Sequence, residues 1–210
     1  MFFAKPVNEG EETIKFDYHI HSKYSKDSAL EPRTILRVAS KRGLKKIAIT
    51  DHNTIKGGLE TQKLNNSLIE VIVGAEIYTE KGEVIGLNLT EEIKSRKLKE
   101  VVMEIKEQGG KVFIPHPFDK IRKGSIRNNI YEIIEYIDYV EGFNGRCLLN
   151  AFNKKALNFA RKYDIKVLSG SDAHYSFEIG HVKYDFFSFL KSSLAHLLTK
   201  TYKKMRKNNS

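Results

Sequence analysis

Thiols are almost absent from this chain: among 210 residues there is one cysteine, Cys147. A single thiol excludes a disulfide framework, and it excludes the closed, cysteine-rich zinc sites that hold many small domains together. No apolar run reaches the roughly 18 residues that a membrane-crossing helix needs. The opening MFFAKPVNEG lacks the features of a secretory leader. These absences predict a soluble cytoplasmic protein with no stable membrane association. No internal repeat or low-complexity linker divides the sequence, and 210 residues are ample for one core and rather few for two.

Acidic residues are missing from one end. The formal charge is +10, yet residues 186–210 hold six Lys or Arg and no Asp or Glu, which leaves +4 on the rest. The expected division is therefore a barrel over residues 1–185 and a basic C-terminal helix and tail over 186–210. The apolar stripe of FFSFLKSSLAHLLTKTYKKMRK would pack on the barrel while its basic end frays. Contact with RNA or with an anionic membrane is the other reading of that tail. No aromatic-rich RNA-binding motif accompanies it.

What the chain does have is alternation. Apolar runs suited to buried strands occur at Ile14–Ile20, Lys46–Thr50, Val71–Ala75, Val84–Leu89, Val112–Pro115, Tyr139–Phe143 and Lys166–Ser169. Helical spacing separates most of them: Pro32–Arg42 before Gly43, Glu92–Gln108 before Gly109-Gly110, Asn128–Ile137, and Ala151–Lys162 behind an Asn150 cap. Between the third and fourth runs, Lys81-Gly82 predicts a hairpin turn instead. The pattern predicts an α/β barrel of mostly parallel strands.

Five of the seven histidines arrive in short polar motifs at the ends of these runs: DYHIH (Asp17 to His21), TDH (His52), PHP (His116) and SDAH (His174). A strand projects residues two apart to one face, so Asp17, His19 and His21 point the same way, and two imidazoles there can grip one metal. Taken singly, His-x-His also marks the wet face of an ordinary strand. Taken together, His19, His21, His52, Glu76, His116, Asp172 and His174 all fall where apolar strands end. In α/β barrels the chemistry collects at that carboxyl rim.

The stretches DYHIHSKYSKDS, AITDHNT, GAEIYT, IPHP, VEGFNGR and GSDAH, in this order, resemble the PHP (polymerase and histidinol phosphatase) superfamily of metal-dependent phosphoesterases. The resemblance covers roughly Phe16 to Gly180. It implies a distorted TIM-like (β/α)7 barrel with two or three divalent ions. By the same resemblance His19, His21, Glu76 and Asp172 hold a first metal, Glu76 bridges to a second that also takes His116, and Asp27, His52 and His174 hold a third. Asp27 comes one residue later than the commoner spacing. Many members also bring a histidine or cysteine to the second metal from the stretch matching VEGFNGRC, where this chain offers Glu141, Asn144 and Cys147.

The donor types favour hydrolysis independently of any family. Imidazole and carboxylate without thiolate suit Zn, Mn or Fe in open sites. Asp27, Glu76 and Asp172 bring about three negative charges against about four to six from two or three divalent ions, leaving a positive well for a phosphate ester. The expected chemistry is attack on phosphorus by a metal-bridging hydroxide. Asp172, His174 and Arg146 form the expected catalytic group.

Arg146 is a candidate for a bidentate grip on phosphate, or else an exposed loop cation. Arg122 and Lys123 are read as a solvated loop, with reach to the same mouth as the other reading. Asn144 binds substrate, orients water, or caps a turn. Asp17 is expected to orient an imidazole from behind. His181 is expected to face solvent, and His196 to lie on the final helix with no catalytic part.

Three functions fit the sequence. The first is a small-molecule phosphomonoesterase acting on a nucleotide, sugar or histidinol-phosphate-like substrate through an uncapped mouth. The second is a 5′-3′ exonuclease on DNA or RNA oligonucleotides. The third is a noncatalytic metal-binding module. The oligomeric state is not legible in the sequence.

Overall fold

The computed structural model describes residues 15–66 and 68–182. The expected C-terminal helix and tail, with His196, lie outside the described residues. Seven strands alternate with helices: β1 (Lys15–Ile20), α1 (Pro32–Lys41), β2 (Leu44–Ile49), α2 (Lys56–Leu64), β3 (Glu70–Thr79), β4 (Gly82–Leu87), α3 (Leu98–Glu107), β5 (Lys111–Ile114), a 3₁₀ helix (Arg127–Tyr136), β6 (Tyr139–Asn144), α4 (Asn150–Tyr163) and β7 (Lys166–Gly170). The strands pair in sequence order. Only β4 runs antiparallel to its neighbours, β3 and β5. The ring is nearly closed by one parallel bridge, Ile20 to Ala173, beside which the Asp172 N–H donates to the His19 carbonyl at 2.8 Å.

The helices follow from local chemistry. Pro32 begins α1, where its missing N–H costs nothing, and Gly43 at φ +70° ends the turn that follows. α3 buries Leu98, Val101, Val102 and Ile105, the i, i+3, i+4, i+7 stripe of an amphipathic helix. The expected helix over Asn128–Ile137 is a 3₁₀ helix instead, burying Ile130 and Ile133, which stand three apart and eclipse each other at three residues per turn.

α2 escapes sequence reasoning because KGGLETQKL has two glycines and buries only Gly57, Gly58 and Thr61. Its position is set by packing. A Cβ at Gly57 would sit 1.9 Å from Asp51 Oδ2 and 2.2 Å from Ser22 Oγ, so only glycine lets the helix approach that pair. Two further boundaries differ from expectation. The hairpin turn is Glu80-Lys81, with Gly82 already paired to Thr79. β3 runs on to Thr79 because it pairs with β2 through Val73 and with β4 from Gly74 onward.

Inside the barrel, Ala48, Ile72, Ile85, Leu87 and Phe113, with Tyr18, Tyr139 and Leu168 packed on them, draw on all seven strands. This plug fills the lower barrel, so the polar donors have room only above it, at the carboxyl rim.

Candidate metal centre

His19 is the penultimate residue of β1 and His21 lies just beyond its end. His52 follows β2, Glu76 lies within the long β3, His116 follows β5, and Asp172 and His174 follow β7. Glu76 therefore reaches the rim from mid-strand and not from a strand end. Two of these residues hold left-handed backbone, His116 at φ 27° and Asp172 at φ 57°, a conformation that tight surroundings impose on non-glycine residues.

Four donor atoms converge at the centre. His19 Nε2 and His21 Nε2 are 3.0 Å apart. Glu76 Oε2 lies 3.5 and 3.4 Å from them, and Asp172 Oδ1 lies 3.6 and 3.4 Å from them. Ligands about 2.0–2.2 Å from a tetrahedral ion stand about 3.3–3.6 Å apart, so the four carboxylate–imidazole separations match edges of such a site, and the two imidazole nitrogens stand closer.

The ring protons support that reading. The Glu141 carboxylate, an acceptor only, takes His19 Nδ1–H at 3.0 Å. Ser25 Oγ donates to Asp51 and so accepts from His21 Nδ1–H, also at 3.0 Å. With both Nδ1 atoms committed as donors, both Nε2 lone pairs face the centre. Without an ion, one proton must hold that pair together. Burial pushes the His19 imidazole toward its neutral form, but the Asp172, Glu76 and Glu141 carboxylates prevail and raise its pKa well above normal. Burial lowers that of His21. Burial also works against charge on Glu76 and Asp172, yet His19 with His116, and His19 with His21 and Arg122, hold these carboxyls well below the usual range. A divalent cation would take the place of the shared proton.

The remaining expected donors surround this set. Asp27 Oδ2 lies 3.1 Å from His174 Nε2 and 3.4 Å from His52 Nε2, and donor atoms of His21, Asp27, His52 and His174 all fall within 4.8 Å of one another. The displaced Asp27 thus still reaches its group. His116 Nε2 is 3.1 Å from Glu76 Oε1. His52 Nδ1, buried without a hydrogen bond, lies 3.2 Å from Glu76 Oε2, and His116 Nδ1, also buried without one, is not the nitrogen that meets Glu76.

Other expectations need correction. Asp17 does not orient an imidazole: its buried carboxylate accepts backbone N–H groups of His19, Ser171 and Gly180, tying β1 to the loop after β7. Glu141 takes the orienting role, accepting also from the His116 N–H at 2.6 Å and from Asn144 Nδ2 at 2.9 Å. Asn144 donates as well to Asp172 Oδ2 at 3.1 Å, bracing two parts of the centre. Cys147 turns away and bonds Asp119.

Arg122 is no solvated loop cation, since its Nη1 lies 2.5 Å from Asp172 Oδ2 and its Nη2 3.4 Å from Asn144 Oδ1. Arg146 Nη1 stands 2.7 Å from His174 Nδ1. His181 is exposed. Glu83 is the residue missed altogether. It looked like part of a hairpin, whereas its buried carboxylate lies 3.6 Å from His116 Nε2. The only signal for it was that a hairpin strand beside GAE must share the face of Glu76.

A cavity of about 210 Å³ opens over the centre, and Arg122, Arg146, Lys123 and Tyr78 line it together with Asp27, Glu76, Asp172 and His174. Tyr78 stacks on His52 at 4.5 Å between ring centroids. Among the described residues, no helix is long and apolar enough to cross a membrane.

Known proteins resemble this chain in sequence or in fold. An uncharacterized protein of Methanocaldococcus jannaschii is 45% identical over 157 residues, covering 69% of this chain and 90% of the relative. A 5′-3′ exoribonuclease of Haemophilus influenzae is 34% identical over 121 residues, covering 51% of this chain and 44% of its own. Among solved structures, a two-domain protein of Bacteroides vulgatus, said to contain a predicted PHP-like metal-dependent phosphoesterase, superposes with a TM-score of 0.68 at 22% identity. The overlap covers 87% of this chain and 57% of that one. The profile of the PHP domain family matches residues 17–208, and the nearly closed seven-strand barrel with its rim of histidines and carboxylates agrees: the chain belongs to the PHP domain family.

Proposed function

We propose that this chain is a metal-dependent phosphoesterase whose substrates are small phosphate monoesters. One observation carries the reading. Glu76 and Asp172, whose carboxylates lie 3.4–3.6 Å from the His19 and His21 Nε2 atoms, line a cavity of about 210 Å³ together with two arginines, Arg122 and Arg146. Imidazoles and carboxylates fit Zn, Mn or Fe, and the proposed ion count is two or three. Bound at His19, His21, Glu76 and Asp172, at Glu76 and His116, and at Asp27, His52 and His174, such ions would acidify water and neutralise phosphate oxygens.

The chain's own groups do the positioning. Arg122 and Arg146 line the cavity from the loops after the neighbouring strands β5 and β6, and each guanidinium can offer two parallel N–H donors to a phosphate. Asn144 and Glu141 fix His19, His116 and Asp172 so that little reorganisation is needed when substrate arrives. His174 Nδ1 faces the Asp172 carbonyl at 2.9 Å, which turns its Nε2 toward Asp27.

The likeness to the Haemophilus exoribonuclease favours a second reading, stepwise hydrolysis of an oligonucleotide from its 5′ end. Phosphate release from a panel of monoesters and 5′-phosphorylated oligonucleotides, with Mn²⁺, Zn²⁺ or Fe²⁺, tests both. Oligonucleotide binding that neutralises several phosphates weakens steeply with salt, and monoester turnover does not. Preference for oligonucleotides overturns the first reading. No turnover with any of the three ions returns the chain to the noncatalytic module.

A further inference from the structure

We infer that Glu83 is itself a metal ligand, completing a cation position that it shares with Glu76 and His116. The inference rests on the reading of this rim as a metal centre and extends it to a residue that no sequence motif singled out. β4 is the one antiparallel strand of the barrel, and pairing of Glu83 with Tyr78 and of Ile85 with Glu76 brings the Glu83 side chain beside the rim. The position lacks a ligand from β6, because Glu141 is committed to His19 and the His116 N–H, and Asn144 to Glu141 and Asp172.

The geometry supplies the replacement. His116 Nε2 lies 3.1 Å from Glu76 Oε1 and 3.6 Å from Glu83 Oε2, and the Glu83 side chain is only 10% exposed. No described residue donates a hydrogen bond to that carboxylate. The carboxylate instead lines the cavity, where a cation can reach it. His52 closes the group, for one of its nitrogens and one oxygen each of Glu76 and Glu83 lie within 4.8 Å of one another.

Gly124 shows that the carboxylate is seated by design of the fold. A Cβ there would come within 2.0 Å of Glu83 Oε2 and 2.1 Å of its Cδ, so any larger residue would evict the carboxylate. The Glu83 N–H is anchored to the Gly124 carbonyl at 2.7 Å, which keeps backbone and pocket together.

The test counts ions and needs no substrate. Chelator-stripped protein is equilibrated with Mn²⁺ or Zn²⁺, bound metal is counted by mass spectrometry, and site affinities are measured by calorimetry. Glu83→Gln is expected to lose one equivalent, or to weaken the weakest site by at least about 10-fold, with the tightest site unchanged. Gly124→Ala, which alters no polar group, is expected to reproduce that loss by displacing Glu83, and it keeps the test informative should Glu83→Gln fold poorly. Wild-type stoichiometry and affinities in both variants overturn the inference and leave the phosphoesterase reading intact. A wild-type chain that takes up no ion at all overturns both.

Discussion

Glu141→Gln is the substitution in which one atom carries the most consequence. The carboxylate accepts three hydrogen bonds, from His19 Nδ1 at 3.0 Å, the His116 N–H at 2.6 Å and Asn144 Nδ2 at 2.9 Å, and it is fully buried. Glutamine has one acceptor oxygen. If that oxygen serves His116 and Asn144, the new NH₂ faces His19 Nδ1 and forces the proton to Nε2, aimed at the first cation position. If it serves His19, the NH₂ confronts two donors in a dry interior. Losing such an orienting partner weakens metal binding by about 10–100-fold, or roughly 1.4–2.7 kcal/mol. The alternative rotamer leaves buried donors unpaired at about 1–3 kcal/mol each and lowers stability instead. Competition with a chelator of known affinity measures the first effect, and chemical denaturation of metal-free protein measures the second. A variant with both metal affinity and stability at wild-type values would show that Glu141 does not set the His19 tautomer.

Arg122→Ala removes a guanidinium that faces both Asp172 and the cavity. With charge-assisted bonds worth about 1.5–3 kcal/mol, kcat/KM for phosphate monoesters should fall by roughly 10–150-fold, and unchanged kinetics would place the phosphate elsewhere. Chelation should abolish turnover and lower the melting temperature, and re-addition of one of Zn²⁺, Mn²⁺ or Fe²⁺ should restore both, since an ion that binds only the folded chain stabilises it by mass action. In metal-free protein, burial and then the charge of Glu76 push the Glu83 carboxyl up from 4.5 to about 7. The folded state then holds its proton longer than the unfolded chain, so this group's contribution is full below pH 4.5 and is lost as pH rises toward 7. Glu83→Gln should therefore gain on wild type across that window by about 3 kcal/mol, and parallel stability curves for the two proteins would refute the shift.

Much of the centre was legible before folding because its information is local. His19 and His21 share a strand face by alternation alone, and His52, His116, Asp172 and His174 sit where apolar runs stop, which is where a barrel's rim must be. The strands were readable for the same reason, as each is an apolar run bounded by polar or turn residues. α2 was not, since Gly57 answers to Asp51 and to Ser22, the latter from β1's end far back in the chain, and Gly58 answers to Val73 of β3. Arg122 was misjudged because its partner, Asp172, lies beyond two further strands, and no spacing rule spans that interval.

The sequence by itself determined which donors exist, that they are nitrogen and oxygen without thiolate, and that they cluster at one end of a strand-helix alternation. Only the tertiary structure decided how they divide the labour. Closure between Ile20 and Ala173 brings His19 and Asp172 to one point, and the single antiparallel strand turns Glu83 toward His116. The Glu141 carboxylate lies 122 residues from the His19 ring that it holds. Side-chain type and strand alternation are properties of neighbouring residues, whereas hydrogen-bond partners and the sharing of an ion depend on distances that the chain acquires only when the barrel closes.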